Sequence, residues 1–65
     1  MVPVIGETIV YKSDLTTQYK VQEIRDTSII ALLPVGNKWT QIHKSCWSSY
    51  MTLEDAREKY HERFL

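Results

Sequence analysis

"SIIALLPVGNKWTQIHK", residues 28–44, decides the fold, because it reads as two strands and the turn that joins them. Ile29, Ile30, Ala31, Leu32 and Leu33 form a β-rich apolar run, suited to a strand covered on both faces or lying at the centre of a sheet. Pro34 has no backbone donor and Gly36, beside Asn37, accepts positive φ. "PVGN" therefore closes the run and connects it to a second strand, "KWTQIHK". Trp39 and Ile42 fall on opposite faces of an ideal strand, so one of them faces outward or the strand bends between them.

On the N-terminal side, "ETIVYKS" alternates in part, with Ile9 and Tyr11 on one side and Thr8, Val10 and Lys12 on the other. "DLTT" reads as a turn, because Asp and Thr side chains bond nearby backbone groups. "QYKVQEI" follows as a strand in which Tyr19 and Val21 share a face. Ile24 breaks its period of two, and a bulge near Gln22 and Glu23 restores it. "RDTS" supplies the turn into the apolar run.

On the C-terminal side the periodicity changes. "TLEDAREKYHERFL" has Thr52 at an N-cap position with Asp55 three residues on, a variant of the capping box. Leu53, Ala56, Tyr60 and Phe64 make one apolar stripe at helical spacing. Asp55 and Lys59, four apart, add about 0.2–0.5 kcal/mol of local support. The stripe needs a surface to cover.

Short strands followed by one amphipathic helix predict a mainly β fold: a small, strongly bent antiparallel sheet whose open end the helix plugs. One domain spans residues 1–65, with a barrel over about residues 4–50 and a helix over about residues 52–65. The order of features resembles SH3-like small β-barrels of the Tudor and KOW type, with four to five strands. The likeness lies in "VIGETIVYKS", "YKVQEI", "SIIALL" and "NKWTQIHK" as successive strands. It implies a binding module and names no ligand.

Composition narrows the function. At 65 residues the chain buries only about 60% of the surface its unfolded form exposes, so every large apolar side chain matters. Eight basic and eight acidic residues cancel, leaving no global positive field for nucleic acid. A single cysteine excludes an intramolecular disulfide. The opening "MVPVIGETIV" carries no basic leader, and the longest apolar run is too short to cross a bilayer. A soluble, cytoplasmic protein with no membrane partner is expected.

Chemistry concentrates in residues 35–47, which hold both tryptophans, Lys38, Lys44, His43 and Cys46. With His61 they provide three nitrogen or sulfur ligands, short of the usual four of a structural zinc site. A Cys46 nucleophile activated by His43 lacks a nearby carboxylate and a glycine-rich oxyanion loop. Cys46 is expected as a small buried hydrophobe and His43 as an ordinary strand residue. Glu54, Glu58 and Glu62 repeat every four residues and read as a solvated helix face. No enzyme activity, metal or cofactor is expected.

No acidic residue occurs in residues 27–53, where Lys38, Trp39, Lys44, Trp47 and Tyr50 lie. That mixture suits a protein interface anchored by aromatics, and also a single-stranded nucleic-acid platform. Trp47 is expected in the core, since so small a domain can hardly leave both tryptophans exposed. Lys38, Trp39, Lys44 and Tyr50 are the candidate partner-binding residues, with Trp39 foremost. Tyr11, Tyr19 and Trp39 form a further combination, an aromatic cage of the kind the Tudor resemblance implies for methylated ammonium groups. The expected function is non-catalytic: a module that engages or inhibits a partner protein, of a size common among phage and mobile-element products. Nucleic-acid binding is the alternative, and an exposed edge strand would also allow two copies to pair.

Overall fold

The computed structural model describes residues 1–64. Five strands, β1 (Thr8–Tyr11), β2 (Asp14–Ile24), β3 (Ser28–Leu32), β4 (Trp39–His43) and β5 (Tyr50–Thr52), form one antiparallel sheet in the order β4-β3-β2-β1-β5. A 3-10 helix, η1 (Lys44–Ser49), joins the two edge strands, and α1 (Leu53–Lys59) follows β5. The ladder does not close, because β4 and β5 are not paired. The sheet nevertheless curls: η1 at about 2.0 Å per residue spans roughly 12 Å, against about 19 Å across four flat strand spacings.

The β3–β4 hairpin forms as its sequence indicates. Gly36 (φ 64°) and Asn37 (φ 43°) both take left-handed backbone, and the Leu33 amide donates to the Lys38 carbonyl at 2.9 Å. The expected bulge is also present, as a register shift between Val21 and Glu23. It brings Ile24 opposite Ile29, on the face that Val21 shares, although Ile24 stays exposed at the sheet's margin.

β1 is covered on both faces, and its two central residues serve two cores. Ile9 packs with Val21, Ile29, Ala31 and Ile42 on the concave side, where Met1, Tyr19, Trp47 and Tyr50 complete the cover. Val10 points the other way, to Leu15 and Ala56, with Met51, Leu53, Tyr60 and Phe64 around them. The helical stripe therefore lies on the outer face of β1 and β5, which corrects the expectation that it plugs an open end of the sheet: Val10 and Leu15 present a second apolar surface there. Thr52 caps α1, its hydroxyl accepting from the Asp55 amide at 3.0 Å.

Three further expectations are corrected. "DLTT" is the start of β2 and the turn is at Lys12 and Ser13, since Asp14 accepts bonds from Thr16 and Thr17 within an extended strand. The helix ends at Lys59 rather than running on from residue 60: Tyr60 leaves helical backbone and His61–Phe64 tighten into a 3-10 turn. Aromatic residues and histidine are weaker helix formers than the Glu, Ala, Arg and Lys that precede them. Leu65, which the expected helix included, lies outside the described residues. Cys46 is exposed, because η1 turns Trp47 inward and Cys46 outward.

Candidate functional site

Alternation along β3 and β4 divides their side chains between the two faces. Ile29, Ala31 and Ile42 go to the concave core, and Ile30, Leu32, Trp39 and Gln41 go to the outer face. α1 shields the outer face over β1, β5 and the start of β2, where Leu15 is buried, so the part formed by β3, β4 and the C-terminal half of β2 is open. On it Trp39 stands 62% exposed, whereas Ile42 is only 4% exposed. The strand is regular and Trp39 is the outward member of the pair.

Cross-strand register sets Trp39 opposite Leu32, and Leu32 opposite Lys20. The indole, a half-buried leucine and an exposed lysine thus form one row across three strands. Gln22, Glu23, Arg25, Ile30, Leu32 and Trp39 line an open apolar depression there. Glu23 is paired with Arg25 at 2.9 Å on its rim, an exposed ion pair that contributes little stability.

The other candidate residues are not gathered around Trp39. Lys38 precedes it in the chain and is exposed, while Lys44 is exposed at the far end of β4. At about 3.3 Å per residue the two lysines bracket the strand roughly 20 Å apart. Tyr50 is on the opposite edge strand and on the concave side, half-buried, its ring 5.1 Å from Tyr11 and 5.9 Å from Tyr19. Burial first, and then the neighbouring Tyr19 and Tyr11, raise the Tyr50 phenol above its ordinary value. The cage of Tyr11, Tyr19 and Trp39 is not formed, because Trp39 faces the other side of the sheet.

His43 has a structural task that its sequence position does not announce. It is the N-cap of η1, its Nδ1 accepting from the Ser45 amide at 3.1 Å and lying 2.9 Å from the Ser45 hydroxyl. That nitrogen is aimed at Ser45 and not at Cys46. Among the described residues no three His, Cys, Asp or Glu side chains come together. Glu54, Glu58 and Glu62 are exposed, on the side of the helical segment away from the apolar stripe. No described helix is long and apolar enough to cross a membrane.

Sequence reasoning missed Lys20, Ile30 and Leu32 as parts of the open face. The apolar run of residues 29–33 carries the alternation that puts Ile30 and Leu32 outside, but Lys20 joins them only through strand register. No protein-family model matches the chain, and neither a curated protein nor a solved structure matches it.

Proposed function

We propose that this chain is a non-catalytic binding module that engages a partner protein through the open half of its sheet, with Trp39 as the anchor. The exposure of Trp39 beside Leu32 and Ile30 carries the reading. An indole standing free on a rigid strand presents a large contact area at little conformational cost, and tryptophan is prominent among interface hot spots. Lys38 and Lys20 supply a basic rim. The strand order, with β1 between β2 and β5 and a 3-10 helix linking the edge strands, supports an SH3-like barrel as the architecture. Inhibition by occlusion of the partner is the simplest mode of action for a chain of this size.

Pull-down from the native host with wild-type and Trp39→Ala protein tests this. A partner lost on substitution, while the far-ultraviolet circular dichroism is unchanged, is the expected result; a partner retained at full strength overturns the surface. The acid-free segment favours nucleic acid as the second reading. For single strands, contact with about three phosphates gives a log-log salt slope near −2. Tryptophan fluorescence that single-stranded oligonucleotides leave unquenched at low salt eliminates it.

A further inference from the structure

The two edges of the sheet are finished differently. At β5 the Tyr50 amide donates to the Trp47 carbonyl and the chain turns into α1 after Thr52, so part of the outer side of that three-residue strand is occupied. At β4 the bonds from the Leu33 amide to Lys38 and from the Lys44 amide to Thr27 flank the ladder with β3. Alternation in an antiparallel pair then turns the backbone groups of Thr40 and Ile42 toward β3 and those of Trp39, Gln41 and His43 outward. The His43 carbonyl accepts the first bond of η1, and among the described residues nothing bonds the outward amides of Trp39, Gln41 and His43 or the outward carbonyls of Trp39 and Gln41. The open edge thus runs beside the exposed Trp39 and ends at a lysine on each side.

We propose that the outer edge of β4 accepts an extended peptide segment of a partner protein as an added antiparallel strand. Acidic residues of that segment meet Lys38 and Lys44, and an apolar residue lies against Trp39. The inference rests on the protein-binding reading above and specifies the partner's form and charge. Backbone pairing provides the adhesion and the side-chain positions provide the selection. The charge preference follows from the chain flanking the open edge, since neither the loop before β4 nor η1 after it contains an acid, and Asp26, next to Thr27, lies on the β3 side of Lys44, across the ladder from that edge. Glu23, the acid that borders the Trp39 depression, is already paired with Arg25.

A second copy of this chain fits the edge poorly. The twofold register that engages Trp39, Gln41 and His43 together sets Lys38 opposite Lys44 of the other copy, and does so twice. Like charges directly opposite in a ladder are destabilising, and charge at an edge is a common guard against self-pairing.

The backbone at His43 allows a direct test. Its φ of −66° is already that of proline, and its amide points away from β3, so His43→Pro removes one outward donor without strain. His43→Ala loses the same cap to Ser45 but keeps the amide, and serves as the control. The probe is an acetylated, amidated peptide of sequence Glu-Thr-Val-Thr-Val-Ile-Glu, compared with the same peptide carrying lysine at both ends.

Amide hydrogen exchange by NMR is expected to show fast exchange at Trp39, Gln41 and His43 in the free protein and protection of all three with the acid-ended peptide. The lysine-ended peptide should give none, and His43→Pro should bind the acid-ended peptide at least three-fold more weakly than His43→Ala. Absence of protection at millimolar acid-ended peptide, equal protection by the lysine-ended one, equal binding by the two variants, or protection by self-association without peptide would each overturn the proposal. In the pull-down, a Trp39-dependent partner held equally by His43→Pro and His43→Ala overturns strand addition and leaves the binding reading standing. Absence of any Trp39-dependent partner overturns the binding reading, while the exchange measurement still reports on the edge.

Discussion

The indole nitrogen of Trp47 donates to the carbonyl oxygen of Ile42 at 3.1 Å, tying η1 back onto the strand it has just left. The same side chain packs over Ile9, Val21, Ile29, Ala31 and Ile42, so one residue both covers the concave core and holds the link between the edge strands. Trp47→Phe keeps most of the ring and loses the bond, at a cost of about 1 kcal/mol. Trp47→Ala also opens the core and costs roughly 3 kcal/mol, the low end for large aromatic truncations because the indole is only half-buried. Trp39→Ala, on the open face, stays within about 0.5 kcal/mol. Urea unfolding of the three variants should give that order, and a Trp39→Ala loss as large as that of Trp47→Ala would contradict the division of roles.

Ile9 and Ile24 differ in the same way. Ile9 is 0% exposed in the concave core and Ile24 is 40% exposed at the margin of the sheet. Truncating a buried isoleucine to alanine costs about 2–5 kcal/mol, a large part of the roughly 3–10 kcal/mol expected in total for a domain of this length. Ile9→Ala is therefore expected to melt about 10 °C or more below wild type, if it folds at all, at some 4–8 °C per kcal/mol for a domain this small. Ile24→Ala should shift the melting temperature by a few degrees. Differential scanning calorimetry of both variants decides it.

These contrasts also explain how far the fold was legible along the chain. The hairpin of residues 28–44 was readable because Gly36 and Asn37 announce left-handed backbone and the flanking runs are β-rich. The C-terminal stripe was readable because Leu53, Ala56, Tyr60 and Phe64 repeat at helical spacing. Cys46 was misplaced because a short 3-10 helix of Lys, Ser, Cys and Trp carries no periodic signal saying which residue faces in. "DLTT" misled because the hydrogen bonds that favour a turn at Asp14 also form in an extended strand. The face around Trp39 was half legible: alternation gives Ile30 and Leu32, but the row through Lys20 exists only once strands are paired in register. Local composition groups Tyr50 with that surface, and the pairing of β5 with β1 takes it to the other face.

Thr52 both closes β5 and starts α1, with its hydroxyl on the Asp55 amide at 3.0 Å. A helix as short as α1 is marginal without its cap and its packing. Thr52→Ala leaves one amide of the first turn unpartnered and is expected to cost about 1 kcal/mol, within a range of roughly 0.5–2 kcal/mol. Thr52→Ser keeps the acceptor and should recover most of the loss. Chemical denaturation of the pair is the check, and equal destabilisation by serine and alanine would assign the effect to the lost methyl group instead of the cap.

Asp14 offers a pH test whose sign is settled by its bonds. The Thr16 hydroxyl is the strongest influence, followed by the Thr17 hydroxyl and the Thr16 amide, and all three donate to the carboxylate. They hold its pKa below the ordinary value of 3.8. A carboxyl whose folded pKa is depressed contributes stability above its unfolded pKa, and the contribution fades as pH falls through the folded value. Wild-type protein is therefore expected to lose part of its stability below pH 3.8, and Asp14→Asn should lack that part. Carbon-13 carboxyl shifts followed by NMR should place the Asp14 midpoint below 3.8, with Thr16→Val moving it upward. A midpoint at or above 3.8 in the folded protein, or one that Thr16→Val leaves unmoved, would mean that the hydroxyl bonds do not govern the group.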